Sequence, residues 1–247
     1  MLPDLSLAAW LMLALAAFGI GVSKSGLAGV GMIHILIFAA IFGAKDSTGV
    51  LLPLLVVGDI CAIIAFGHHA QWSSIRRLLP LTFVGVLAGW ALMGRLDDAM
   101  VSRTIGVIIL GLTTLQLYRL WRPDSLAHLP HTAAAAAAAA LLTGFTTMIA
   151  NAAGPVMALY LLSVGLTKLP LVGTMAWLFF WINLSKIPLS YQLGLIELDT
   201  VLLNLLLAPG VVVGMAAGRY IVSRIPQLLF NSLLLLFTAA AAIRMLF

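Results

Sequence analysis

Apolar runs follow one another along nearly the whole chain, most of them close to the ~20 residues that a helix needs to cross ~30 Å of hydrocarbon. Inside a bilayer no water pairs with backbone N–H and C=O groups, so a spanning segment must be a helix or part of a closed barrel. Continuous apolar runs, rather than period-two alternation, select helices. Composition agrees: hydrophobic residues make up 63% and charged residues 9% of the 247, with a mean hydropathy of +1.15. The chain reads as an all-α polytopic membrane protein and not as a soluble domain.

Gly, Pro and charged punctuation divides it into about ten hydrophobic helical segments, near 5–22, 27–42, 47–67, 75–93, 101–120, 132–150, 154–166, 170–189, 199–217 and 226–246. The first is expected to be a retained helix, because Asp4 stands where a signal peptide carries basic residues and many similar segments follow. Segments 27–42 and 154–166 are short, and each follows a Gly- or Asn-containing break without a water-facing loop. That is the pattern of a re-entrant helix or of one broken at membrane depth.

Gly85/Gly210, Gly89/Gly214 and Gly29/Gly154 share one separation, 125 residues, about half the chain. The spacing predicts a duplication, with a first membrane repeat over 1–122, a cytoplasmic link over 123–131 and a second repeat over 132–247. Small residues at i, i+4 also let helices approach closely, so packing alone is the plainer reading of the glycines themselves. Five segments per repeat turn the second repeat upside down. Loop charges agree: Arg76 and Arg77 precede segment four, whereas Glu197 and Asp199 precede its counterpart. Arg119, Arg122, Arg219 and Arg224 then join Arg76 and Arg77 on the cytoplasmic side, with both termini outside. Arg95 and Arg103 run against this, partly balanced by Asp97 and Asp98.

The 13 Lys and Arg are scattered through short loops, which makes them topology signals rather than a nucleic-acid-binding face. A single cysteine, Cys61, provides neither a disulfide framework nor a thiolate metal site. His68-His69 and the pair His128 and His131 lack acidic or cysteine company, so no metal is expected. His34, in segment two, lines the path or, on the plainer reading, is a satisfied interior histidine. With no phosphate-binding loop, Gly-x-Ser-x-Gly elbow or His-Glu-x-x-His motif, neither a cofactor nor enzymatic chemistry is expected.

Four places put polar groups at membrane depth. Ser23-Lys24-Ser25 stands before Gly26, Gly29 and Gly31, where a restarting helix offers free N–H groups beside an ammonium and two hydroxyls. Together these make an anion cradle; the alternative is that Lys24 snorkels to the headgroups. The symmetry-related break holds Asn151 and Gly154-Pro155, with Asn151 either capping the next helix or reaching a ligand. In the third, Trp177, Trp181 and Ser185 share a helical face, and Asn183 and Lys186 are i, i+3 neighbours. That face either lines a cavity or, for Lys186, snorkels outward. Fourth, Asp59 in the middle of an apolar run needs a partner: it neutralises Lys24 or Lys186, or carries a coupling proton, or makes structural hydrogen bonds.

Gly21 to Gly31 with its Ser-Lys-Ser element, Leu52 to Asp59, Gln71-Trp72, Leu78-Leu79-Pro80, Asn183 to Pro188, Gln192-Leu193-Gly194 and Arg224 to Gln227 together resemble the sulfite exporter TauE/SafE family, in its branch with a Ser-Lys element. The resemblance spans nearly the whole chain. It implies a carrier in the bacterial inner membrane for small sulfur-containing anions such as sulfite, sulfonates or thiosulfate, generally exported. Many members carry a Gly-Gly-Gly run after the first helix; here it is broken into Gly26, Gly29 and Gly31.

The expectation is an inverted-repeat secondary transporter working by alternating access. Its substrate-binding residues would be Ser23, Lys24, Ser25, Gly29, Gly31, Asn151, Gly154, Asn183, Ser185 and Lys186, with Asp59 for coupling or charge balance. Its partners would be a small anion, the lipid bilayer and a possible homodimer mate, with no nucleic acid. The rival readings are an importer of a different small organic anion and a non-transporting membrane assembly partner.

Overall fold

The computed structural model describes residues 5–26, 31–121 and 132–221, so Gly29, the link over 123–131 and the tenth segment lie outside the described residues. Its helices are α1 (Leu7–Lys24), α2 (Gly31–Phe42), α3 (Ala44–Val50), α4 (Leu52–Phe66), α5 (Trp72–Met93), α6 (Asp98–Trp121), α7 (Ala133–Ala150), α8 (Gly154–Ser163), α9 (Lys168–Gln192) and α10 (Leu198–Ile221). Among the described residues every regular element is helical, and six of these stretches are long and apolar enough to cross a membrane. The run expected over 47–67 is divided at Leu51, and Pro53 opens α4 where its missing N–H costs nothing. Hydroxyl side chains cap two entries: Ser6 accepts from the Ala9 N–H and Thr132 from the Ala135 N–H, each at 3.2 Å.

Lipid is as apolar as these side chains, so close packing rather than burial holds the helices together. Glycine makes that possible at two crossings. Any side chain at Gly21 or Gly214 would overlap the backbone of the partner helix, bringing α1 and α10 together; Gly85 and Gly144 do the same for α5 and α7. Both pairs run parallel, since Ala17, Phe18 and Val22 meet Gly210, Gly214 and Gly218 in that order, and Leu141 and Met148 meet Gly85 and Gly89. α4 and α9 cross antiparallel, with Gly67 beside Trp177 and, further along, Asp59 beside Asn183.

These directions sort the charges between the two ends of the bundle. At one end lie Arg76, Arg77 and Lys168 at helix starts and Arg219 over the Phe66 ring, with no carboxylate there among the described residues. At the other lie Asp46, Asp97, Asp98, Glu197 and Asp199, together with Lys45, Arg95 and Arg103. There the Asp98 carboxylate accepts from the Lys45 N–H at 2.9 Å. α1 runs inward from the acidic end and α2 returns to it, whereas α7 runs inward from the basic end and α8 returns toward that end. The two hairpins therefore enter from opposite ends, and their breaks flank the middle of the α4–α9 crossing.

Candidate functional site

At that crossing the structure gathers most of the buried charge. Lys24, in the last turn of α1, donates to Asp59 Oδ1, and Asn183 Nδ2 donates to Asp59 Oδ2 at 2.7 Å. Asp59 is 0% exposed, while the Lys24 side chain keeps 17% of its surface. Both carboxylate oxygens thus accept from donors, as an ionised group does. Gly58 leaves room for the Lys24 stem against α4, and Nζ stands 5.2 Å from the Phe179 ring centroid on α9. The ring face adds a further attraction for the cation.

Lys186 lies one turn beyond Asn183 on α9 and is fully enclosed, which removes snorkelling as its role. Its Nζ donates to the Thr147 carbonyl at 2.7 Å, to Thr147 Oγ1 at 3.3 Å and to Asn151 Oδ1. Three acceptors match the three N–H groups of an ammonium. Two of them belong to the last turn of α7, where the negative end of the helix dipole favours a cation. No carboxylate touches this lysine among the described residues. Lys24 and Asp59 are near enough to act on it through space. With all three groups ionised, two lysines and one aspartate give the cluster one positive charge in excess.

Asn151 does not cap the following helix, the plainer of its two readings. It ends α7 in the left-handed conformation at φ 52°, which Asn tolerates better than most residues, and its Nδ2 donates to the Thr48 carbonyl at 3.0 Å. Its amide therefore ties the α7 break to α3 and to Lys186. α8 itself starts at Gly154 behind Ala153, with no side-chain cap on its first turn.

The serines fall outside this network. Ser23, Ser25 and Ser185 each donate to the carbonyl three residues earlier, at 2.8, 2.7 and 2.7 Å. A hydroxyl used this way has no hydrogen left for an anion. Gly31 opens α2 near Ser23 and His34. Trp177 packs on Trp72 and bonds the Gly67 carbonyl, and Trp181 is exposed, so the tryptophans form no box around the charges.

His34 departs from expectation. It is buried, and its Nδ1 has no hydrogen-bond partner among the described residues, as is also true of Asn183 Oδ1. Thr147, Thr48 and Phe179 join the site although sequence reading passed over them. Thr147 carried a weak signal, lying in a Thr-rich stretch of an apolar helix four residues before the Asn151 break. Among the described residues no three His, Cys, Asp or Glu side chains group to hold a metal.

Fold and site define a class: a multi-pass helical membrane protein with paired charges enclosed between two helix breaks. The sequence model described as Sulfite exporter TauE/SafE matches residues 13–245, and the chain belongs to that family. The family is one of membrane transporters. No match was found among curated proteins or among solved structures.

Proposed function

We propose that this protein is a secondary transporter that exports small sulfur-containing anions, such as sulfite or a sulfonate, across the bacterial inner membrane by alternating access. The observation that carries this is the enclosed cluster of Lys24, Lys186, Asp59 and Asn183 with its excess positive charge, lying between two helix breaks. A fixed cation at membrane depth is costly and favours anions over neutral or cationic solutes. Lys24, which keeps a part of its surface free, is the residue that engages the anion. Asp59 balances its charge between turnovers.

Two inverted repeats of five segments, over 1–122 and 132–247 with a cytoplasmic link between, fit the packing. Gly21 meets Val211 and Met215, and Gly144 meets Thr82 and Val86. The second contact follows from the first by a shift of 123 residues on one side and by removing 129 on the other. By the same logic Gly31 pairs with Gly154, and Asp59 with Asn183 at a separation of 124. These local registers replace the single separation of 125: Gly85 answers to Gly214, one helical turn beyond Gly210. Asp59 and Asn183 then touch each other on the pseudo-twofold axis, where carriers of this architecture hold substrate. The basic end faces the cytoplasm by the excess of Lys and Arg.

The test is counterflow of labelled sulfite in proteoliposomes holding the purified protein alone. Wild type should exchange sulfite, and Lys24→Met should not. Lys24→Met/Asp59→Asn, which removes the stranded carboxylate, should be folded and equally inactive. Exchange by that double variant at the wild-type rate would remove Lys24 from the site, and a silent wild type would favour an assembly partner over a carrier.

A further inference from the structure

We propose that the site selects its substrate by charge number, taking singly charged oxyanions in preference to doubly charged ones, and that Asp59 is the residue that sets this selectivity; the proposal rests on the anion-carrier reading above. The cluster holds two lysines and one aspartate, and the charge count takes each in its ionised form, which its hydrogen-bond partners match. Asp59 accepts on both oxygens, and three acceptors surround Lys186 Nζ. One bound monoanion brings the enclosed charge to zero. A dianion leaves it one unit negative, with Asp59 at 0% exposure as an immediate like-charged neighbour.

In a poorly screened interior that residual charge decides the selectivity. Asp59's repulsion of the second charge, at about 5 Å and an effective dielectric near 20, shifts the monoanion-to-dianion ratio by on the order of a hundredfold, against which the two lysines attract that same charge and reduce the net preference. Asp59 also occupies the donors that an oxyanion needs, because Lys24 Nζ and Asn183 Nδ2 both point at its oxygens. The carboxylate is a tethered monoanion seated among the ligands of the site. An incoming anion exchanges with it on Lys24 while both remain enclosed, and repulsion between them grows with the charge of the newcomer.

The unpartnered Oδ1 of Asn183 is a second, independent observation. Buried acceptors without donors are costly. A protonated oxyanion such as hydrogensulfite brings the O–H that this oxygen lacks, and a fully ionised dianion does not.

The experiment compares methanesulfonate with sulfate, two tetrahedral anions of similar size that differ by one charge. Binding to the purified full-length chain in detergent is read from ligand-induced thermal stabilisation and checked by competition against labelled sulfite in proteoliposomes. Wild type should bind methanesulfonate at least about tenfold more tightly than sulfate. Asp59→Asn should reverse or abolish that ratio by strengthening sulfate, even where the variant no longer completes a transport cycle, because the binding arm needs no turnover. Equal binding of the two anions by wild type, or an unchanged ratio in Asp59→Asn, overturns charge selection while sulfite exchange by wild type keeps the carrier reading. Absence of binding for methanesulfonate, sulfate and sulfite alike overturns both.

Discussion

The Lys24–Asp59 pair should respond very differently to loss of each partner, because the two ends of the bridge are buried differently. Lys24→Met leaves a carboxylate at 0% exposure with Asn183 as its remaining donor. Breaking an enclosed pair in this way costs about 3–5 kcal/mol. Asp59→Asn leaves Lys24, whose side chain keeps 17% of its surface and still faces the Phe179 ring. The new amide retains an oxygen for Lys24. Its NH₂ group would confront the Asn183 NH₂, but Asn183 can turn its unpartnered Oδ1 inward and accept. What is lost is the charged part of two hydrogen bonds, about 2 kcal/mol. The double variant Lys24→Met/Asp59→Asn should then be more stable than Lys24→Met by about 2 kcal/mol or more. Reversible denaturant unfolding in mixed micelles, followed through the tryptophans, measures all four corners of this cycle. If Asp59→Asn costs as much as Lys24→Met, or if the two effects simply add, Asp59 is not a carboxylate held by this lysine.

Two further outcomes follow from packing and topology. Gly214→Leu should destabilise the protein by about 1–3 kcal/mol, since its side chain would overlap the Phe18 backbone on α1; Gly111→Ala, with nothing within 4 Å, should be neutral or gain up to ~1 kcal/mol in helix propensity, and equal thermal shifts for the two would refute the α1–α10 crossing. In a Cys61→Ala background, Ser74→Cys should react with an impermeant maleimide only from the cytoplasmic side and Asp97→Cys only from the outside, whereas labelling of both from one side would overturn the threading of α5.

Much of the architecture was legible because hydropathy is a local property and the bilayer allows few answers. The apolar runs forced helices, and the short segments at 27–42 and 154–166 marked two breaks that the structure places on hairpins entering from opposite ends. Lys24 and Asp59 stood out as charges in the wrong solvent. Their pairing was one of several options, because no local pattern records that α1 ends beside the middle of α4. The serines show what a local pattern leaves out. Beside Lys24 they read as ligands, and the structure gives each hydroxyl a carbonyl three residues back as its partner.

By itself, then, the amino-acid sequence determined the class of protein, the places along the chain where its helices break and the standing of Lys24 and Asp59 in apolar surroundings, all of which follow from the cost of placing particular groups in hydrocarbon. Tertiary structure alone decided which groups meet. It joined Asp59 to both Lys24 and Asn183, set Lys186 on the end of α7 with Asn151, and brought Gly21 and Gly214 together at the α1–α10 crossing and Gly85 and Gly144 at the α5–α7 crossing. Those choices depend on where glycine lets two helix backbones touch, a property of pairs of distant segments that neither segment carries alone.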